Sequence, residues 1–301
     1  MRVLRIKIYI ISLSLVALFS SCERDAKNVD IPNIESKLVV QCFIAPQNPK
    51  IEAFVSFSSP IFGKARREDW ITDATVEITD GTTLKKLILD NSGRTPKYQL
   101  DSSEFKIVAG KTYTLFVSTP DGRTVNAKCT VPFPIDGSSL TFNWDTIVKT
   151  NQNIGAIERT VRLNMKWRDT DPARNFFRAG ANVLVYAEDR PNDIFRERMS
   201  NNSFSDLQTD EGKDGGVLER NSLERIVTEQ IGGSVGRFSF KPKGIEIYIV
   251  NCGENYYKYH KTAENNNGED PFSEPTLVYS NIIGGLGCFG ASNQFIKSIE
   301  F

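Results

Sequence analysis

Histidine is nearly absent: the 301 residues contain one, His260. A multi-histidine zinc site is thereby excluded, and any histidine-based triad must use that single ring. No C-x-x-C occurs among the five cysteines, which argues against redox and zinc-ribbon motifs. Neither charge dominates, because 37 Lys+Arg balance 37 Asp+Glu, so the electrostatic footprint of a nucleic-acid binder is missing. The apolar run from Ile8 to Phe19 falls short of the ~20 residues that a spanning helix needs. What is present is ordinary globular composition, 40% hydrophobic and 25% charged, in a chain long enough for about two domains. No metal and no cofactor is assigned.

Arg2, Arg5 and Lys7 precede the apolar run, and Ser20-Ser21-Cys22 follow it. This is the three-part form of a secretory signal. The small residues before Cys22 resemble a bacterial lipobox, with Phe19 where that pattern usually has Leu. Residues 1–21 are therefore expected to be a lipoprotein signal peptide and Cys22 the lipidated N-terminus. Stable anchoring takes two or more acyl chains, since one binds only marginally. Cleavage removes three cations and no acids, leaving 34 basic against 37 acidic residues. Residues 22–36 are polar, contain Pro32 and read as a tether.

From Lys37 the chain alternates with a period of two. Leu38, Val40, Cys42 and Ile44 share one strand face, and Ile51, Ala53, Val55 and Phe57 the next. Five further short strands run to Val131, punctuated by Asp80-Gly81, Ser92-Gly93 and Asp121-Gly122. Seven strands at this spacing predict an immunoglobulin-like β-sandwich over residues 37–133. Ala109-Gly110-Lys111-Thr112-Tyr113 resembles a tyrosine corner, making Tyr113 structural. Cys42 and Cys129, on the first and last strands, are a candidate disulfide of an exported protein; two buried thiols are the alternative.

Pro132-Phe133-Pro134 ends this unit, and residues 134–301 read as a second β-rich domain. Strands are expected at Val161–Trp167, Phe176–Ala187, Phe238–Phe240 and Ile245–Cys252, with long polar loops or a ragged insertion over 188–234. Asn251 and Glu254 resemble a capping box, and Tyr256, Tyr259, His260 and Ala263 recur at helical spacing, predicting one amphipathic helix near 252–264. His260 is read as a packing residue of that helix. Cys252 and Cys288 form a second candidate disulfide.

Three motif matches fail on context. Gly232-Gly233-Ser234-Val235-Gly236 has the form of a nucleophile elbow, but an extended run and Pro242 follow where a helix is required. Gly285-Leu286-Gly287-Cys288-Phe289-Gly290 has the form of a dinucleotide loop, yet the chain lacks the acid expected ~20 residues on. Asp210-Glu211-Gly212-Lys213-Asp214-Gly215 opens like a calcium loop, but Gly212 and Asn221 occupy ligand positions; Asp210 and Asp214 remain as a weak loop alternative. The glycines Gly285, Gly287 and Gly290 suit close packing or backbone contact with a partner. With Tyr256, Tyr257 and Tyr259, whose rings suit stacking on sugars, they make a candidate contact segment.

In sum the chain reads as mainly β: an immunoglobulin-like sandwich, then a second β-rich domain with one amphipathic helix. The order Cys22, Lys37-Leu38-Val39-Val40, Gly110-Lys111-Thr112-Tyr113, Asn175-Phe176-Phe177-Arg178, Tyr256-Tyr257-Lys258-Tyr259, Asp270-Pro271-Phe272-Ser273-Glu274-Pro275 and Gly285 to Gly290 resembles the Bacteroidota lipoproteins grouped as domain of unknown function 4249. The resemblance implies a lipid-anchored outer-membrane protein, often encoded beside a TonB-dependent receptor; it transfers no catalytic residue. Glu23-Arg24-Asp25 resembles the acidic export signal of surface lipoproteins in that phylum, and Asp145-Thr146-Ile147 its O-glycosylation acceptor, with Thr146 modified. The expected function is a surface binding or accessory module, without enzymatic activity, partnering the membrane through its lipid and a TonB-dependent receptor through its body. The alternative is a surface hydrolase of glycan or peptide using two of Glu246, Glu254, Glu269 and Glu274.

Overall fold

The computed structural model describes residues 35–58, 70–153, 155–169, 173–200, 205–213, 215–230, 239–266 and 277–301. The signal segment, Cys22 and nearly all of the tether lie outside them, as do Ser234, Asp214, Glu269 and Glu274. From Ser36 onward the described residues belong to one compact unit. It is mainly β, with one α-helix.

The seven strands expected in the first part form as the alternation demands. They are β1 (Leu38–Ile44), β2 (Lys50–Phe57), β3 (Thr75–Thr79), β4 (Leu84–Asp90), β5 (Lys97–Asp101), β6 (Thr112–Ser118) and β7 (Thr124–Thr130). Every second residue of β1 is buried, and Val76, Ile78, Leu115 and Val117 face them across one core. Each such side chain contributes about 1.5–3 kcal/mol on burial. Gly81 and Gly122 take positive φ in their turns. The Tyr113 phenol accepts from Val108 N at 2.8 Å and donates to Lys106 O at 3.2 Å, closing the expected tyrosine corner.

The second part contains more strands than the pattern announces. After a one-turn 3-10 helix (Gly137–Ser139) come β8 (Thr141–Asn151), β9 (Ala156–Arg168), β10 (Phe176–Ala187), β11 (Arg190–Arg198), β12 (Leu207–Thr209), β13 (Val217–Gln230) and β14 (Phe240–Cys252). Helix α1 (Glu254–Glu264) and β15 (Leu286–Glu300) complete the chain. The loops expected over 188–234 are thus corrected to three strands in the described part. β13 buries Leu218, Leu223 and Val227, and a register shift between Arg220 and Leu223 breaks its alternation.

β8, β9 and β13 make a three-stranded sheet, and the other strands follow one continuous path, β11-β10-β14-β15-β1-β2-β5-β4-β3-β6-β7, with β12 beside β10. The inner faces of β9 and β13 (Val161, Leu163, Met165, Trp167, Leu223) close a second core against β10 and β14 (Ala179, Val183, Ile245, Ile249). β15 crosses the boundary expected after Phe133. Residues Leu286–Ala291 pair parallel to β1, and Ser292–Glu300 pair antiparallel to β14. Phe289 and Ala291 consequently belong to the first core.

Candidate functional site

Helix α1 starts differently from the expected capping box. Its N-cap is Gly253, with no side-chain cap, while Asn251 remains in β14 and donates through Nδ2 to Phe133 O at 2.9 Å. The β14–β15 ladder holds Asn251 in extended backbone, so its side chain cannot reach back to the helix. Tyr256, Tyr257 and Tyr259 are each half-buried and dock the helix. Tyr256 packs edge-on to Phe43 at 5.3 Å and lies 4.3 Å from His260; Tyr257 stacks on Phe176 at 4.8 Å; the Tyr259 phenol accepts from Gln41 Nε2 at 2.6 Å. Burial raises the Tyr256 phenol to about 12. His260 sits among Phe43, Tyr256 and Tyr259, and its Nε2 has no hydrogen-bond partner. Burial, and secondarily Arg178, push its pKa down to about 4.

The glycines serve the same packing. A Cβ on Gly285 would lie 2.6 Å from Leu38 O, and one on Gly287 2.1 Å from Val40 O; one on Gly290 would meet Phe43 and the Tyr256 backbone at 3.1 Å. No helix follows this segment, which from Leu286 onward is β15 itself. Both candidate disulfides are corrected: Cys42, Cys129, Cys252 and Cys288 are buried free thiols. Cys252 pairs with Ser292, which places Cys288 four residues further along β15, about 14 Å away at ~3.4 Å per residue, beyond the reach of a bridge. Burial raises Cys252 and Cys288 to about 12 and also pushes Cys42 and Cys129 well up.

Of the carboxylates considered for hydrolysis, the two described ones, Glu246 and Glu254, are each held by a different cation. Glu246 is a buried acid of β14 held by Arg196 through two contacts of 2.8 and 3.1 Å, which keep it below its ordinary pKa. Glu254 pairs with Lys258 one helical turn on.

A more coherent constellation lies at the open end of the second core. There a cleft of about 470 Å³ is lined by Trp144 and Thr146 of β8, Arg159 of β9, Tyr186, Glu229, Lys241, Pro242 and Phe301. The register explains the wall: Trp144 stands opposite Leu163 and Thr146 opposite Val161, so both point to the core side of the small sheet. β8 extends beyond that core, which leaves Trp144 39% exposed. Its indole packs against the Phe301 ring at 4.8 Å. On the floor, Glu229 is paired with Arg159 and, at 3.2 Å, with Lys241, which also contacts Glu188. Burial opposes ionisation of Glu229, but the two cations outweigh it and lower its pKa. The floor is therefore a fixed donor and acceptor set, two cations around one carboxylate, beneath aromatic walls, which is the composition of a ligand pocket. Its one carboxylate is held ionised, so it can accept hydrogen bonds but is a poor proton donor.

Sequence reasoning singled out only Thr146 of these residues as a candidate site. The opposite face of the small sheet carries a polar groove of about 430 Å³ with Asn143, Asp145, Arg162, Asn164, Ser222 and Glu224. Ser222 has φ 56°, the one positive φ outside glycine among the described residues, and its N–H donates to Asn164 Oδ1 at 2.8 Å.

These features define an all-strand framework of two cores sharing one C-terminal strand, with a single docked helix and an aromatic cleft at one end. A family profile described as domain of unknown function DUF4249 matches residues 25–298, and the chain belongs to that family. No curated protein matches it.

Proposed function

We propose that the protein is a lipid-anchored binding or accessory module of the bacterial envelope, and that it works with a TonB-dependent outer-membrane receptor. The observation that carries the binding role is the cleft lined by the packed Trp144–Phe301 pair, whose Arg159–Glu229–Lys241 floor is already assembled. A preassembled floor spares a ligand the cost of ordering those side chains. The partly exposed indole supplies a flat, stiff contact with a polar edge, of the kind enriched where partners seat. The signal-like N-terminus and Cys22 support the anchor, and the resemblance of the whole chain to envelope lipoproteins supports the receptor. Thr146 lines the cleft, so a glycan attached there would occupy its mouth.

The test is mild cross-linking in intact cells followed by purification of the tagged protein from detergent-solubilised envelopes. The wild-type chain is expected to bring down a large β-barrel receptor, and Trp144→Ala to lose most of it. Recovery of the protein alone would refute the accessory role, and equal recovery with Trp144→Ala would move the contact away from the cleft.

A further inference from the structure

The turn that follows β12 meets the end of β9 and the start of β10, and two aspartates are withdrawn from solvent at that junction. Asp210 is fully buried and Asp169 is 6% exposed. Asn175 gathers both: its backbone N–H donates to Asp210 Oδ1 at 2.9 Å, and its side-chain amide to Asp169 Oδ2 at 3.2 Å. The same amide donates to Ala173 O at 2.8 Å. Backbone bonds fix the surroundings, with Asp210 N on Asn175 O, Lys213 N on Asp210 O and Asp169 N on Gly216 O. Gly212 and Gly215 take φ of +76° and +68°, which lets the turn fold back on itself.

The second oxygen of Asp210, Oδ2, is buried and has no hydrogen-bond partner. No ion pair among the described residues reaches this carboxylate; Arg174, the cation nearest in sequence to Asn175, is turned to Glu211 at 2.9 Å. Buried charges in proteins are paired or coordinate a metal, and a buried acceptor left unsatisfied calls for an explanation of that kind.

We propose that this junction binds a divalent cation of the calcium type, with Asp210 Oδ2 and the Asp169 carboxylate as its anionic ligands. The donors gathered there are carboxylate and carbonyl oxygens, and oxygen-only sets select hard cations over zinc or copper. Two carboxylates supply fewer than the six to eight oxygens that calcium takes, so water completes the shell. Affinity then falls in the weak class typical of extracellular modules, a Kd of about 10⁻⁴–10⁻³ M. The site differs from a helix–loop–helix calcium loop, because its ligands come from two separate segments joined by Asn175.

The experiment is thermal unfolding of the tag-free mature chain after EDTA treatment, titrated with CaCl₂ or MgCl₂ at constant ionic strength, with Asp210→Asn and Asp169→Asn alongside. Wild type is expected to melt about 4–6 °C higher at calcium concentrations near a hundred times Kd, with magnesium weaker. Asp210→Asn is expected to lose the calcium shift and to melt, in EDTA, no lower than wild type, because the amide removes an uncompensated charge. A wild-type melting temperature unmoved up to 10⁻¹ M CaCl₂ (about a hundred times the weaker Kd) would overturn the proposal whatever the variants do. So would a full calcium shift retained by either variant.

Discussion

Replacing Gly287 by alanine tests how firmly the C-terminal strand is seated in the first core. Gly287 has φ +107°, and its added Cβ would lie 2.1 Å from Val40 O and 2.8 Å from Val40 C. These are backbone atoms of β1, held by β15 on one side and β2 on the other, so they cannot rotate away. The unfavourable φ alone costs about 1–3 kcal/mol. Overpacking against an immobile neighbour adds about 1–3 kcal/mol more. Gly81→Ala is the control: φ is +92° there, but nothing lies within 4 Å of the added Cβ. Urea unfolding followed by tryptophan fluorescence should therefore show Gly287→Ala less stable than Gly81→Ala by about 2 kcal/mol or more. Equal losses at the two positions would refute the close β1–β15 contact and the shared core built on it.

Protonation of His260 should weaken the fold. Its pKa falls from 6.5 to about 4 on folding, so the unfolded chain binds the extra proton and stability is lost as pH drops from 6.5 toward 4. Allowing for its partial exposure, the effect is about 1–2 kcal/mol; His260→Gln should flatten the difference between melts at pH 7 and pH 4.5, and an unchanged difference would contradict the assignment. Native protein at pH 8 should resist a thiol reagent, whereas denaturation should release four reactive thiols, at Cys42, Cys129, Cys252 and Cys288. Fewer than four would show that bridges form after all. In the cleft, Glu229→Gln should reduce stability by about 1 kcal/mol, measured by urea unfolding, because Arg159 and Lys241 lose their shared partner; no change would argue against a fixed floor.

The legibility of the chain follows from which side chains each strand must bury. β1 to β7 each have one face in a core, so residues such as Leu38, Val40, Cys42 and Ile44 alternate, and Asp-Gly pairs mark the turns. β8 is exposed along nearly its whole length, and its alternation is short: Phe142 and Trp144 alternate with Asn143 and Asp145, but Ile147-Val148 breaks the period. β13 hides for a different reason. The bulge at Ser222 changes phase between Leu218 and Leu223, and of the charges between them Glu219 faces solvent while Arg220 is half-buried and donates to Ser205 O. The parallel contact of β15 with β1 joins residues about 250 positions apart, a pairing that local pattern cannot specify. The cleft depends on β8 and β13, so its residues stayed hidden with those strands. By contrast, the close approach that Gly285, Gly287 and Gly290 suggest has a structural counterpart, since an added Cβ would meet Leu38 O, Val40 O and Phe43.

The most direct measurement of the proposed role is intact mass and N-terminal peptide analysis of the protein isolated from its own membranes. The account predicts a mature chain that begins at Cys22 and carries acyl chains on that residue, with envelope fractionation lost in Cys22→Ser. An unmodified Cys22, or a chain that begins elsewhere and fractionates with the envelope regardless, would contradict it.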